Sequence, residues 1–321
     1  MDLNAPIFVA GHRGLVGSAL MRALQARGYQ NLLTRTHADL DLTDAVATEA
    51  FFAAEQPEYV FMAAARVGGI LANNTYPAEF IRDNLVLQAN VIHSAWRHDV
   101  TRLLFLGSSC IYPKFAPQPM REEHLLTGPL ELTNRPYALA KIAGIEMCWS
   151  YNRQYGTRFI AAMPTNLYGP GDNYDLANSH VLPALIRKMY EARQQGAESV
   201  TVWGTGTPRR EFLHSDDMAD ACLHIMTLSD EGLAPLMRTD EPPLVNIGCG
   251  EDLSIAELAL LVKEAIGFQG RLEFDASKPD GTPRKLLDVS RLASLGWSPT
   301  ISLRDGVSGL SSKLMRSGPV W

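Results

Sequence analysis

A tyrosine and a lysine lie four positions apart in a segment whose pattern predicts a helix, Tyr137-Ala138-Leu139-Ala140-Lys141. Side chains at i and i+4 share one helix face, so the Tyr137 phenol and the Lys141 ammonium would be neighbours. Carbonyl reduction needs a proton for the developing alkoxide, and a phenol can donate it when a nearby ammonium lowers its pKa. The pair could equally be a half-buried tyrosine beside a lysine that extends to water.

A glycine-rich turn lies near the N-terminus, directly after the apolar run Ile7–Ala10. Its glycines would let the backbone approach a pyrophosphate, and the helix that follows would offer N–H donors. Alone this could be an ordinary strand-to-helix turn, but its place at the first strand–helix connection favours a dinucleotide site. We therefore expect cofactor contacts from Gly11, His12, Arg13, Gly14, Leu15, Val16 and Gly17.

The end of the second predicted strand indicates which dinucleotide is bound. Arg35 stands where an NAD-binding protein places a carboxylate for the ribose 2′-hydroxyl, and Arg13 lies inside the glycine turn. Cations at these two places attract a 2′-phosphate, so NADP is predicted. Both arginines could instead be solvated surface residues, and NAD would again be a possible cofactor if Asp39 or Asp41 reached the ribose.

A strand-end serine completes a reactive set. Ser108-Ser109-Cys110 follows the predicted strand Arg102–Leu106, and ligands of open α/β sheets bind at the carboxyl ends of strands. Ser108 could hydrogen-bond a reacting carbonyl, or it could simply cap the next element. The glycine turn, the strand-end serine and the Tyr137–Lys141 pair occur in the order typical of short-chain dehydrogenases/reductases.

These residues require a scaffold that brings strand ends together, and the first half of the chain predicts one. Short apolar runs alternate with helical patterns, which implies βαβ units, right-handed crossovers and a doubly wound parallel sheet of the Rossmann type. The predicted strands are Ile7–Ala10, Leu32–Leu33, 59–64 and Arg102–Leu106, and the predicted helices are 15–27, 46–54 and 84–96.

The second half is less regular and predicts a smaller C-terminal α/β substrate domain. Residues 166–178 read as a loop, 208–217 as a charged connection and 278–283 as a turn cluster. We expect a cofactor-binding domain over residues 1–165 with a return segment at about 214–248, and a substrate-binding domain over 166–213 and 249–321.

Composition narrows the class of protein. The 321 residues carry a net charge of −6, which gives no reason to expect a nucleic acid or an anionic membrane as partner. No apolar stretch reaches the roughly 18 residues of a membrane span, and the N-terminus lacks a signal-peptide pattern. The cysteines, Cys110, Cys148, Cys222 and Cys249, form no CxxC pair, so we expect reduced thiols, no metal site and a cytoplasmic location.

Several longer segments, in order over nearly the whole chain, make a specific resemblance. They read VGGI at 67–70, GSSCIYP at 107–113, PYA at 136–138, MPTNLYGP at 163–170, SHV at 179–181, VWG at 202–204, REFLH at 210–214 and KPDGTPRK at 278–285. With them the chain resembles the GDP-L-fucose synthase family, the GDP-4-keto-6-deoxy-D-mannose 3,5-epimerase-4-reductases of the extended short-chain dehydrogenase/reductase superfamily.

The resemblance implies two chemistries in one pocket. The protons at C3 and C5, acidified by the 4-keto group, are removed and returned on the opposite face, and NADPH then reduces C4 to give GDP-L-fucose. The implied catalytic residues are Ser108, Tyr137 and Lys141 for reduction, with Cys110 as base and His180 as acid for epimerisation. Beyond the glycine turn and Arg35, the expected cofactor contacts are Asp41, Leu42, Leu106, Gly107, Ser108, Ser109, Lys141, Pro164, Thr165, Asn166, Leu167 and His180. The implied contacts to the GDP-sugar are Lys188, Trp203, Arg210 and Asp280.

Other functions of the same fold remain in competition. A 4,6-dehydratase would carry an acidic pair where Cys110-Ile111 stands, and a UDP-sugar 4-epimerase would favour an acidic residue where Arg35 stands. A non-catalytic NADP sensor would be expected to have lost the tyrosine or the lysine. The resemblance also implies a homodimer, formed by the 84–96 helix and the helix that carries Tyr137.

Overall fold

The computed structural model describes residues 1–176, 179–278 and 280–319. The strands are β1 Ile7–Ala10, β2 Leu32–Leu33, β3 Tyr59–Met62, β4 Arg102–Leu106, β5 Phe159–Pro164, β6 Asn166–Tyr168, β7 Ser199–Trp203, β8 Arg209–His214, β9 Leu244–Ile247, β10 Asp252–Ser254, β11 Arg271–Asp275 and β12 Arg284–Lys285. The α-helices are α1 Leu15–Ala26, α2 Ala45–Glu55, α3 Ile70–Thr75, α4 Pro77–Arg97, α5 Arg135–Tyr155, α6 Val181–Gln194, α7 Ser215–Thr227, α8 Asp230–Leu233, α9 Ile255–Ile266, α10 Ser290–Ser294 and α11 Leu303–Ser317.

A six-stranded sheet with the order β2-β1-β3-β4-β5-β9 forms the centre of the first part, and all its pairings are parallel. The chain leaves β1 toward β2 on one side and returns to β3 on the other, so the strand order reverses between β1 and β3. Ligands of doubly wound folds bind in the crevice at such a reversal, beyond the carboxyl ends of the strands. The predicted α/β fold class with a doubly wound parallel sheet is confirmed.

Helices cover both faces of this sheet, as the continuous apolar sequence of its strands requires. All residues of β1, β3, β4 and β9 are buried. Helices α1 and α7 pack on one face, and α2, α4 and α5 supply apolar side chains to the other. The result is a three-layer arrangement whose open edge is the line of strand carboxyl ends.

A second, smaller core lies around β8. Strands β10 and β12 flank β8, β6 also pairs with it, and β7 pairs with β11. Helices α6, α9 and α11 close this core with buried residues such as Leu185, Leu258 and Leu310. Strand β9 and helix α7 belong to the first sheet and its layers, so the chain returns to the first part between β8 and β10. The domain boundaries at 165, 213 and 248 stay predictions.

Two of the sequence-based expectations for the second half are wrong. Residues 166–168 of the expected loop form β6, which pairs in parallel with residues 212–214 of β8. The expected charged connection at 208–217 contains the whole of β8 and the start of α7. Its charges looked solvated in sequence, but Arg209 pairs with Asp252 at 2.8 Å and Glu211 is fully buried.

Smaller differences concern element ends. The predicted 84–96 helix begins at Pro77, because proline is well suited to a first helical turn, where its missing N–H costs nothing. The predicted 59–64 strand ends at Met62. Residues 177 and 178 of the expected loop and Pro279 of the turn cluster lie outside the described residues. Within the described ranges, none of the helices has the length and apolar content needed to cross a lipid bilayer. All four cysteines are free thiols.

Candidate active site at the carboxyl edge of the sheet

The glycine turn is built tightly at two glycines and is open at the third. A Cβ on Gly11, whose φ is +82°, would lie 2.7 Å from the backbone nitrogen of Ala64, directly after β3. A Cβ on Gly17 would lie 2.0 Å from the Gly11 carbonyl oxygen. Gly14 is exposed, and the nearest atom to its added Cβ is 3.5 Å away. The outer surface of the turn at Gly14 is therefore the part that a ligand can approach.

Unused polar groups face this turn. Helix α1 begins after Gly14 without a side-chain cap, so its first N–H groups are offered to a ligand. The Nδ1 atom of His12 is buried and has no hydrogen-bond partner. A dinucleotide pyrophosphate would accept from such donors, and the residues present fit that group. Leu15 and Val16 form the first helical turn.

Arg35 lies just beyond β2, and its guanidinium is held by its neighbours. It forms an ion pair with Glu55, donates to the Thr34 carbonyl at 2.8 Å and lies 5.2 Å from the centre of the Phe51 ring. Arg13 is exposed in the glycine turn. These contacts fix one cation at the edge of the crevice where a 2′-phosphate would lie.

The carboxylates that could have favoured NAD are engaged within their own loop. Asp39 accepts from the Thr36 hydroxyl at 2.6 Å, and Asp41 accepts from the backbone and hydroxyl of Thr43 at 2.9 and 2.8 Å. These hydrogen bonds lower the pKa of both carboxyl groups. The Leu42 carbonyl accepts from Asn90 at 2.9 Å.

The residues expected to carry out reduction, Ser108, Tyr137 and Lys141, are here called the reductase set and lie where β4 ends. The Lys141 ammonium donates to the Leu106 carbonyl at 2.8 Å and lies 5.7 Å from the centre of the Tyr137 ring. The Met163 side chain packs closely on Gly107, since an added Cβ there would lie 1.8 Å from the Met163 methyl carbon. Ser108 follows, and its Oγ accepts from the Cys110 backbone N–H at 3.4 Å. Helix α5 and the end of β4 thus converge on one point.

Burial shifts the pKa values of both Lys141 and Tyr137. It lowers the pKa of Lys141 to about 8 and raises that of Tyr137 above its usual range. The sequence argument expected the ammonium to lower the Tyr137 pKa, whereas desolvation of the phenolate has the larger effect here. A phenol that keeps its proton is still the form that reduction requires, because the tyrosine must donate in that direction.

Cys110 lies beside the reductase set and is almost fully buried, with 7% of its surface exposed. Burial raises its pKa, while the Lys285 ammonium, the Ser108 hydroxyl and the Lys141 ammonium lower it. Cys110 in turn raises the pKa of both Tyr137 and Lys141 through its charge. The thiol is therefore an electrostatic neighbour of both Tyr137 and Lys141.

His180 comes from a different part of the chain, and the charge of Lys285 acts on both its ring and the Cys110 thiol. It precedes the first turn of α6, where its carbonyl accepts from Ala184 at 3.1 Å. The residue is exposed, yet desolvation of its ring lowers its pKa and the charge of Lys285 acts in the same direction. Cys110 and His180, far apart in sequence, thus share Lys285 as a neighbouring charge.

The four predicted contacts to the GDP-sugar, Lys188, Trp203, Arg210 and Asp280, come from α6, β7, β8 and the segment before β12. Trp203 is 60% exposed, and the ammonium groups of Lys188 and Lys278 lie 5.1 and 5.5 Å from its ring centre. Asp280 accepts from the Thr205 backbone N–H at 2.7 Å, and its charge acts on Arg210. An exposed indole beside two cations suits a flat base that carries phosphates.

A buried carboxylate connects the two parts behind the site. Glu211 Oε1 accepts from the backbone N–H groups of Cys249 and Gly250 at 2.7 and 2.8 Å, and Oε2 accepts from that of Leu287 at 2.9 Å. Its carbonyl accepts from Thr165 at 3.2 Å and from Asn166 at 2.8 Å. The segment Pro164, Thr165, Asn166 and Leu167, expected at the cofactor, is thereby fixed to β8.

Sequence reasoning missed some residues of this region. Lys278 and Lys285 lie at the two ends of the segment KPDGTPRK, whose local sequence predicts only a turn. Asn134 has a buried Oδ1 with no hydrogen-bond partner and lines a cavity with Cys110 and Lys285. No pattern could have selected these residues, because their proximity exists only in the folded chain.

The fold and site define the class of protein. The sequence model of the NAD dependent epimerase/dehydratase family matches residues 7–248, and the chain belongs to this family.

Within this family the chain is similar to proteins named for one activity. It is 60% identical to "GDP-L-fucose synthase 1" of Arabidopsis thaliana, over 96% of this chain and 92% of that protein. It is 56% identical to the GDP-L-fucose synthase of Escherichia coli (strain K12), over 94% of both chains. Among solved structures, "MlghC, GDP-mannoheptose C4 reductase from Campylobacter jejuni with NADP bound" superposes with a TM-score of 0.89 at 41% identity, covering 99% of this chain and 100% of that one.

Proposed function

We propose that this enzyme uses NADPH to convert GDP-4-keto-6-deoxy-D-mannose to GDP-L-fucose, by epimerisation at C3 and C5 followed by reduction at C4. The observation that carries the proposal is the convergence of Ser108, Cys110, Tyr137 and Lys141 at the end of β4. High identity to GDP-L-fucose synthases over nearly the full chain supports it.

Reduction uses the residues of α5 and the end of β4. The cofactor, when bound, supplies a hydride to the carbonyl carbon. Tyr137 donates its proton to the C4 oxygen, Ser108 hydrogen-bonds the same oxygen, and the Lys141 ammonium stabilises the negative charge that develops there. The hydrogen bond from Lys141 to the Leu106 carbonyl holds that ammonium in place.

Epimerisation uses a thiol and an imidazole that approach from two parts of the chain. Cys110 removes the proton next to the ketone, and Ser108 and Tyr137 stabilise the enolate through its oxygen. His180 returns a proton on the opposite face of the ring. Both half-reactions thus need the same oxygen-binding groups, which explains why one pocket serves both.

The remaining contacts hold the nucleotide. Trp203 stacks on the guanine, Lys188 and Arg210 neutralise the diphosphate, and Asp280 binds polar groups of the substrate. Arg35 and Arg13 bind the 2′-phosphate of NADPH, and the turn from Gly11 to Gly17 binds its pyrophosphate.

A simple C4 reductase is the second candidate, since a GDP-mannoheptose C4 reductase is among the solved structures most similar to this chain. The test is product analysis after incubation with GDP-4-keto-6-deoxy-D-mannose and NADPH. We expect cofactor oxidation with GDP-L-fucose as the product. A product that keeps the configuration of the substrate at C3 and C5 would indicate the reductase alone.

A further inference from the structure

We infer that Lys285 is a positioning residue of the epimerisation step, whose ammonium is the counter-charge that stabilises the Cys110 thiolate. The inference rests on the proposed function and deepens it. It comes from the arrangement of charges on two neighbouring strands and from the cavity that they border.

Strands β8 and β12 place two pairs of cations side by side. Arg284 is the register partner of Arg209, and Lys285 is the register partner of Arg210. Paired residues of neighbouring strands point to the same face of a sheet, and successive residues point to opposite faces. The two pairs of like charges therefore lie on opposite faces.

Only one of these pairs is neutralised by the protein. Arg209 and Arg284 share the carboxylate of Asp252, at 2.8 and 2.5 Å. Arg210 and Lys285, in contrast, have no carboxylate within 4.0 Å in the part of the chain that the structure describes. Asp280 acts on Arg210 and Glu131 acts on Lys285 only from beyond that distance. Two adjacent, partly buried cations without a directly paired carboxylate are costly, so this face can receive negative charge.

Lys285 and Cys110 line the same narrow cavity. The carboxylate in this cavity, Glu131, is already paired with Lys114 at 2.8 Å. Asn134 adds its unpartnered Oδ1. The Cys110 thiol is thus a group that can supply negative charge to Lys285 when it gives up its proton.

The effects of the surrounding charges on the pKa of the thiol agree with this geometry. Burial raises the pKa of Cys110, and Lys285 is the strongest of the groups that lower it, ahead of Ser108 and Lys141. The groups whose charges act on Lys285 are Cys110, Arg210 and Glu131. Lys285 also lowers the pKa of His180, which makes its imidazolium a stronger acid.

Epimerisation of each carbon removes one proton and adds another. The C–H bond next to the ketone breaks, an S–H bond forms at Cys110, and the electron pair moves onto the C4 oxygen as an enolate. The imidazolium of His180 then gives its proton to the opposite face, and the ketone re-forms. Solvent takes the proton from the Cys110 thiol and returns one to the His180 imidazole, which resets both groups. Lys285 forms no bond in this sequence and acts only through its charge.

The test compares Lys285→Met with Lys285→Arg and with Arg284→Met as the matched control, because Arg284 lines the same cavity but is paired with Asp252, which keeps Arg209 as a partner. Hydrogen exchange at C3 and C5 is followed in D₂O. The thiolate absorbance of Cys110 is titrated in the absence of substrate, as the difference between each protein and its Cys110→Ser counterpart. Lys285→Met should slow exchange about tenfold or more and move both pH profiles up by roughly one unit, as expected for loss of a neighbouring cation.

Lys285→Arg should restore most of both properties, and Arg284→Met should change neither. Lys285→Gln replaces the Met variant if that protein does not fold. Unchanged exchange and an unchanged thiolate titration in the neutral variant would overturn the inference and leave the proposed function standing. Failure of the unsubstituted enzyme to exchange at either carbon would instead contradict the proposed function itself.

Discussion

At the scale of single residues, Tyr137 and Cys110 divide the reaction between them. Tyr137→Phe removes the proton donor for the C4 oxygen, so we expect reduction to fall by on the order of 10² or more. Exchange at C3 with solvent should persist at a less reduced rate, because Cys110 is unchanged and Ser108 still binds the enolate oxygen. NADPH oxidation and proton NMR in D₂O measure the two events in one sample, and equal loss of both would contradict this division of roles.

Lys141 gives the reduction a pH dependence of defined sign. Burial lowers its pKa to about 8, so the ammonium is present below that pH and is lost above it. We expect kcat/KM for reduction to fall as the pH rises through about 8. In Lys141→Arg the charge persists to much higher pH, and the decline should disappear even if the rate is lower. A profile that declines at the same pH in both proteins would assign the ionisation to another group.

Residue types and their order predicted much of the site, but only as far as they stood on predictable elements. Tyr137 and Lys141 lie on a helix, and Ser108 follows a strand, as the sequence predicted. Lys285 was not predicted, because its meaning depends on its register with Arg210 and on its distance from Cys110 across the fold. Such contacts leave no local pattern.

At the scale of elements, the glycine turn contains one glycine that packing requires and another that we expect the cofactor to require. A Cβ at Gly17 would collide with the Gly11 carbonyl, whereas a Cβ at Gly14 has room and its φ of −74° suits any residue. Gly17→Ala should lower the melting temperature markedly. Gly14→Ala should keep it and weaken NADPH binding by about tenfold or more, a loss of roughly 1.4 kcal/mol.

Thermal melting and NADPH titration of these two variants check the argument. Equal destabilisation by both substitutions would show that Gly14 is also packed against the protein. Normal NADPH affinity in a folded Gly14→Ala variant would remove this turn from the cofactor site.

Strand β8 is an element that the sequence did not predict. Arg209, Arg210 and Glu211 looked like a solvated connection, since charged residues are uncommon inside sheets. Tertiary contacts reverse that expectation: Asp252 neutralises Arg209, and three backbone N–H groups satisfy the buried Glu211. The parallel sheet of the first part was predictable because its apolar runs carry their own signal.

At the scale of the whole molecule, we predict a homodimer formed by α4 and α5. These helices pack together, and an aromatic group on them is partly accessible: the rings of Trp96 and Tyr155 stack at 4.2 Å, and Tyr155 is 45% exposed. Light scattering at micromolar concentration should give twice the chain mass of 35.3 kDa. Tyr155→Glu should shift the mass toward the monomer, and a monomeric unsubstituted protein would contradict the prediction.

The molecule as a whole combines a Rossmann-type sheet with a smaller second core, and we propose that the carboxyl edge of the sheet performs both epimerisation and reduction. The most direct test is turnover of GDP-4-keto-6-deoxy-D-mannose with NADPH in D₂O, with the product read by NMR. We predict cofactor oxidation and deuterium at both C3 and C5, and loss of that deuterium in Cys110→Ser. Oxidation without deuterium at these carbons would contradict the account and leave a C4 reductase in which Cys110 and His180 take no chemical part.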